Sequence, residues 1–192
     1  MGKLGNPQDG LSFIHIAGTN GKGSVAAFLS EILYQAGYRT GRYVSPVIFE
    51  YREEIQVGKR PISKKELCRK MTVMREICQK LTQEGKPHPT AFEVKTAMAL
   101  WHFREQGCQI VVLEAGLGGL LDATNIITNT KVAVFTSISL DHMRVLGKTL
   151  REIARQKAGI MKQGAVAVAF KGEMQAVEVL QEKATATAPC FI

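Results

Sequence analysis

No apolar run in this 192-residue chain approaches the length that crosses a bilayer, and Met1-Gly2-Lys3-Leu4 does not lead into the apolar stretch of a signal peptide. A soluble, cytoplasmic protein is the expectation. Cysteine is sparse and wrongly spaced for metal or disulfide chemistry. Cys68, Cys78, Cys108 and Cys190 contain no C-x-x-C pair, and no histidine stands at zinc-finger distance from them. They are expected as reduced core residues. There is no low-complexity tract, no internal repeat and no block of like charge long enough for a disordered tail. The 25 Lys+Arg against 17 Asp+Glu give +8, which favours anionic partners. The basic residues are scattered without interleaved aromatics, so the phosphates or carboxylates of a small substrate suit the charge as well as nucleic acid does. The expectation is a monomer with small-molecule partners, without nucleic acid or membrane.

With 45% hydrophobic residues the chain can bury one sizeable core, and its length allows one domain or at most two. Apolar β-type runs over residues 11–17, 39–44, 109–114, 131–137 and 165–170 alternate with helical segments. That alternation predicts an α/β fold, a P-loop-type, mostly parallel sheet with helices on both faces. Ser63 with Glu66, Thr90 with Glu93 and Thr149 with Glu152 have capping-box spacing and mark helix starts. Glycines 37, 85, 107 and 159 fall where helices should stop. Residues 45–62, with Gly58 and Pro61, suggest a long loop or hairpin excursion. The final 188–192 stretch resembles the entrance to a further strand, so residues 1–192 are expected to be a single ATP-binding domain truncated at both ends.

The strongest chemical signal is a strand–turn–helix unit over residues 11–36. An apolar strand enters Gly18-Thr19-Asn20-Gly21-Lys22-Gly23-Ser24, and Val25 opens an amphipathic helix. Such a turn aims backbone N–H groups and the positive end of a helix at phosphate oxygens, and Lys22 can reach the terminal phosphates. Glycine lets the backbone approach that closely. The match to the standard P-loop is imperfect, because Gly23 separates the lysine from Ser24; a turn that only caps the helix is the ordinary alternative. Glu114 follows the apolar Val111-Val112-Leu113, at the carboxyl edge of the expected sheet, where a carboxylate can hold Mg²⁺ beside a triphosphate or be a solvated strand end. The glycine-rich Ala115-Gly116-Leu117-Gly118-Gly119 after it allows close approach of a ligand. Asp141-His142 follows the next strand on the same edge; taken alone His142 is an ordinary surface histidine, and its position favours a metal role.

Together these stretches resemble the Mur ligase superfamily, and within it the folylpolyglutamate synthase/dihydrofolate synthase family. The resemblance rests on residues 15–24, Ser45-Pro46, Arg60-Pro61-Ile62-Ser63, Phe92-Glu93, Gly116 to Gly119 with Leu121-Asp122-Ala123-Thr124-Asn125, Leu140-Asp141-His142 and Lys157-Ala158-Gly159-Ile160. It covers nearly the whole chain. It implies a central ATPase domain, with the C-terminal glutamate-ligase domain absent, and ATP-dependent amide formation through an acyl phosphate. L-Glutamate would be added to folates, to dihydropteroate, or to both. It further implies that residues 18–24 bind phosphates and that Ser24, Ser45 and Glu114 hold one Mg²⁺. His142 would hold the other, Lys157 would be carbamylated, and Thr90, Ala91, Phe92 and Glu93 would contact the pterin. Lys22, Lys157 and His142 are then the catalytic set. The sequence departs from the family pattern at Leu120, Glu54, Val47 and Gln156, positions that bear on substrate affinity more than on nucleotide binding. The alternatives are a degenerate nucleotide-binding paralogue without catalysis and another Mur-type amino-acid ligase; Gly23 and the 121–125 stretch argue against the latter.

Overall fold

The apolar runs form strands and the capped segments form helices, described by the computed structural model over residues 1–188 and 190–192. In chain order the strands are β1 (Phe13–Ala17), β2 (Thr40–Tyr43), β3 (Ile55–Val57), β4 (Arg60–Pro61), β5 (Ile110–Glu114), β6 (Thr130–Phe135) and β7 (Val166–Ala169). The helices are α1 (Lys22–Gln35), α2 (Lys64–Gln83), α3 (Ala91–Glu105), α4 (Met143–Leu146), α5 (Leu150–Ala158) and α6 (Met174–Thr187). One seven-stranded sheet has the order β4-β3-β2-β5-β1-β6-β7. The five strands from β2 to β7 in that order are parallel, and the β3–β4 hairpin adds an antiparallel edge. The 45–62 excursion is thus a 3₁₀ turn at Tyr51–Glu54 followed by that hairpin.

Because side chains alternate across a strand, β1 feeds both faces. Ile14 and Ile16, with Val112 of β5, pack against Ala26 of α1. Phe13, with Leu113 and Tyr43, packs against Met74 of α2 and Met98 and Phe103 of α3. On the same side as the latter, Ala133, Phe135 and Ala167 carry Ile153 of α5 and Val179 and Leu180 of α6. Each large side chain so buried contributes about 1.5–3 kcal/mol. No helix among the described residues is long and apolar enough to cross a membrane.

The three capped helices begin as expected, with Ser63, Thr90 and Thr149 accepting the N–H of Glu66, Glu93 and Glu152. Each cap is worth about 1 kcal/mol. Other expectations need correcting. The helix after the glycine-rich turn opens at Lys22, not Val25, because Gly21 turns the chain directly into it. Gly37, Gly85 and Gly107 end their helices in the left-handed region, but Gly159 does not (φ −58) and is needed for another reason given below. Cys78 and Cys108 are buried, whereas Cys68 and Cys190 are exposed: Cys68 lies on the outer side of α2. α6 carries no capping signal at its start, because Glu173 supplies no side-chain cap. At the end of the chain, Phe191 bridges Ala167 in parallel, as a further strand would; Pro189 of that stretch lies outside the described residues.

Two histidines are locked in the interior. Burial, with a smaller push from Lys162, holds His15 down at about 3, and burial, with Lys70, holds His102 at about 4. Unfolded histidine titrates near 6.5, so as pH falls from about 6.5 to 4 the unfolded chain takes up protons that the native chain refuses. Stability is lost in that window. At pH 5 the cost is about 2 kcal/mol per histidine relative to pH 7.5, read from denaturant midpoints at the two pH values; equal midpoints would refute it.

Candidate active site

β1 ends at Ala17 and the chain turns through Gly18, behind which stands Thr136. A Cβ on Gly18 would lie 1.8 Å from Thr136 Oγ1, so no larger residue fits. The segment after β6 fastens the turn. Thr19 N–H donates to Ser137 O at 2.7 Å, Ser139 N–H to Thr19 Oγ1 at 3.1 Å, and the Ser137 hydroxyl to Asn20 O at 3.3 Å. Gly21 caps α1 in the left-handed region (φ 86) and offers no capping side chain. The N–H groups of the first helical turn, from Lys22, Gly23 and the exposed Ser24, therefore present the positive end of a 14-residue helix to whatever lies at the carboxyl edge of the sheet.

Two lysines converge on that edge. Lys22 Nζ donates to Gly18 O and Thr19 O, both at 3.1 Å, and Lys157 Nζ, from the buried side of α5, donates to the same Gly18 carbonyl at 2.8 Å. Burial, then the neighbouring Lys22 charge, lowers Lys157 to about 8, with Asp141 pulling weakly the other way. Glu114 ends β5 in register with Ile16. Burial raises its pKa against the opposing pull of Lys22 and the Ser45 backbone N–H. Its Oε2 is buried without a hydrogen-bond partner and would sit 3.7 Å from a Cβ on Gly23. Gly18, Lys22, Gly23, Ser45, Glu114 and Lys157 are thus one constellation, although they come from four separate segments.

His142 stands apart from it. It adopts left-handed backbone (φ 47) before α4, its side chain is 59% exposed, and its Nε2 lies 3.6 Å from Asp141 Oδ2. Among the described residues no group of three or more His, Cys, Asp or Glu side chains could by itself hold a metal. A cation beside Glu114 would draw on hydroxyl, carboxylate and ligand oxygens. Thr90 and Glu93 are committed to each other: Glu93 Oε2 accepts from Thr90 N–H at 2.7 Å and from its hydroxyl at 2.8 Å. Of the expected 90–93 contacts, the Phe92 ring is half-buried beside Tyr43 and covers Gly116, where a Cβ would come within 2.6 Å of Phe92 Cζ. Thr90, Phe92 and Glu93 line a cavity of about 360 Å³ together with Leu117, Asp122 and Gln156. A larger cavity of about 740 Å³, lined by Leu4, Met74, Glu93, Leu120 and Asp122, adjoins it. Ala91 is exposed and lines neither.

The turn after β5 packs directly on the end of α5, which is how Lys157 reaches the phosphate turn. Leu120 N–H donates to Gln156 O at 2.7 Å. A Cβ on Gly159 would lie 2.4 Å from Leu120 Cα, backbone that cannot swing aside. Gly159→Ala is expected to cost about 3 kcal/mol and lower the melting temperature by roughly 10 °C; an unchanged melt would show that the two segments separate freely.

The Mur ligase middle domain family matches residues 16–188. This chain belongs to the Mur ligase family. As a Mur ligase middle domain it is 40% identical over 192 residues to the dihydrofolate synthase/folylpolyglutamate synthase of Bacillus subtilis (strain 168), covering all of this chain and 44% of that protein. It superposes on a solved FPGS-AMPPCP-folate complex with a TM-score of 0.93 at 37% identity, over 98% of this chain and 46% of the other. Against Mycobacterium tuberculosis folylpolyglutamate synthase complexed with ADP the TM-score is 0.92 at 36% identity, over 100% and 44%. The chain therefore spans under half the length of these relatives. Within this Mur ligase domain, Thr136, Ser137 and Ser139 shape the phosphate turn without having been singled out from sequence. Their contacts span more than a hundred residues, and no local pattern marks them.

Proposed function

We propose that the protein to which this Mur ligase domain belongs is an ATP-dependent amide ligase that joins L-glutamate to a folate, to dihydropteroate, or to both. A single observation carries the proposal: two ammonium groups meet one carbonyl of a glycine-rich turn, beside a buried carboxylate with an unpartnered oxygen, at the N-terminus of a long helix. That arrangement suits a triphosphate. Residues 18–24 would bind its phosphates through backbone N–H groups, with Lys22 neutralising the charge that builds up as the γ-phosphoryl group moves. An acceptor carboxylate oxygen attacks the γ-phosphorus, the bond to ADP breaks, and the acyl phosphate results. The glutamate amine then attacks the acyl carbon, inorganic phosphate leaves, and the amine gives up a proton. Phosphorylation supplies the leaving group that a carboxylate lacks, so the domain's work is to place two anions in contact.

The orphaned Glu114 oxygen beside Ser45 fits Mg²⁺, a cation that takes oxygen ligands. Ser24, Ser45 and Glu114 would hold one ion and His142 a second, and the ions would neutralise phosphate charge. The relatives' names support the substrates: one complex contains AMPPCP and folate, another ADP. The pterin would enter the cavities walled by Phe92 and Asp122. Of the departures from the family pattern, the structure gives the Glu54 side chain a partner, whereas the contact between Leu120 and Gln156 does not depend on either side chain. Glu54 is buried and paired with Lys95 at 2.8 Å, and Leu120 and Gln156 join through their backbones. Nothing in the structure explains Val47.

Glutamate-dependent ADP release by the full-length protein, supplied with dihydropteroate or a reduced folate, tests the proposal. Release with either acceptor is the expected result; ATP binding without release would leave only a nucleotide-binding module.

A further inference from the structure

The core of β1 contains a polar residue that neither the phosphate turn nor the lysine pair uses. His15 has no exposed surface, and its Nε2 lies 2.8 Å from Thr124 Oγ1. The Thr124 hydroxyl donates its one proton to Asp122 Oδ1 at 2.5 Å, so toward His15 it can only accept. This network assigns the proton to His15 Nε2 and leaves Nδ1, which has no partner, as a bare lone pair. Asp122 is in turn fully engaged with backbone. Oδ1 also takes the Thr124 N–H at 2.9 Å, and Oδ2 takes the Leu117 N–H at 2.8 Å. One carboxylate thereby ties the glycine-rich turn after Glu114 to the 3₁₀ turn Ala123–Ile126. Asp122 lines both cavities, and Leu117 lines the smaller one.

We infer that His15 is a positioning residue for acceptor binding: through the Thr124 hydroxyl it fixes Asp122, and with it the wall that the two cavities share. The inference rests on the ligase reading above. A core strand is an expensive place for an imidazole with an unpartnered nitrogen, and an aliphatic residue would fill the same space without a polar network to satisfy. What the imidazole adds is direction. His15 stands three residues before Gly18 on the strand that ends in the phosphate turn, so the same rigid element sets both the phosphates and the acceptor wall. The phosphate turn has its own fastenings to Ser137 and Ser139 and does not depend on this chain of bonds. Acceptor and nucleotide affinities should therefore separate when the chain is cut.

The test uses the full-length enzyme, assayed for KM of reduced folate or dihydropteroate, KM of ATP, kcat and melting temperature. Thr124→Val and His15→Leu are expected to raise the acceptor KM at least tenfold while leaving the ATP KM within twofold. Thr124→Ser, which restores the hydroxyl, should return the acceptor KM to within threefold of wild type. Thr124→Val strands the buried His15 N–H and lowers stability, whereas His15→Leu leaves the Thr124 hydroxyl donating to Asp122 and removes only the bond it accepts. The double variant His15→Leu/Thr124→Val strands no imidazole N–H, and it should regain much of the melting temperature that Thr124→Val loses yet keep the raised acceptor KM. If acceptor KM follows melting temperature through the series, or both KM values rise together, the positioning role is overturned and the network is only a brace. A wild type that releases no ADP overturns the ligase reading, and the acceptor role with it. An active wild type whose acceptor KM Thr124→Val leaves unchanged overturns the role alone.

Discussion

Lys22→Ala, introduced into the full-length protein, should weaken ATP binding by at least a hundredfold and leave the fold standing. The ammonium now donates to two carbonyls of the turn. Bonds from a charged donor are worth about 1.5–3 kcal/mol each, so moving two such contacts onto phosphate oxygens accounts for about a hundredfold at the low end. The fold should survive because Lys22 is the first residue of α1, only partly buried, and alanine suits a helix better. The substitution should also be felt next door. Lys22 lowers the pKa of Lys157 and opposes the upward push on Glu114, so its removal should raise both. Lys22→Arg is not expected to rescue binding, since a planar fork does not replace a compact ammonium inside a glycine turn. Calorimetry showing unchanged ATP affinity would sink the assignment, and loss of the cooperative melt would turn it into a folding defect.

The parts of this molecule that were legible from sequence are those whose physics is local. An apolar strand running into Gly18 and a helix just after the glycine-rich turn lie within a few residues of one another, although the helix opens at Lys22 and not at the expected Val25, and the Thr90–Glu93 and Thr149–Glu152 caps each close within one helical turn. The parallel sheet follows from alternation. Long-range consequences were not legible. α5 places Lys157 on its buried face, but only the contact between the 116–120 turn and the end of the helix brings it to Gly18, and that contact needs Gly159 for closeness rather than for a left-handed turn. Glu114 could be placed at the sheet edge by its position after an apolar run, whereas its unpartnered oxygen depends on Ser45 and Lys22 folding over it. The His15–Thr124–Asp122 chain joins residues more than a hundred positions apart, and a histidine inside an apolar strand gives no sign of its partner. His142 follows β6 at the carboxyl edge of the sheet, but its exposure shows how little a residue's neighbours in sequence say about where its side chain points.

Lys157→Ala should reduce the rate of the complete enzyme at least a hundredfold, with partial recovery in formate or acetate. Keeping a lysine at this position is costly. The drop from 10.5 to about 8 corresponds to about 3 kcal/mol against the folded state while the amine is protonated. The sign follows from the lowered native pKa: that penalty is present below pH 8 and disappears as pH rises from about 8 to 10.5, so an unmodified protein should grow more stable across that window. A methionine would fill the space without this cost, so a chemical use for the amine is the simplest account of it. At pH 7.5 an amine of pKa about 8 is about one quarter neutral, against about one part in a thousand for an exposed lysine. A neutral amine can attack CO₂: the nitrogen–carbon bond forms, a proton is lost, and a carbamate anion replaces the cation beside Gly18. The charge at the mouth of the phosphate turn would then change sign, letting Lys157 hold a cation that its ammonium repels. Small carboxylates can enter the space that alanine leaves and supply that negative charge; arginine, cationic at every relevant pH, should not rescue. Mass spectrometry under gentle ionisation should show an added 44 Da on wild type that Lys157→Ala lacks, 44 Da being about the mass of CO₂ by simple stoichiometry. Full activity of Lys157→Ala without any additive would rule the carbamate out and leave Lys157 as a costly prop for the Gly18 carbonyl.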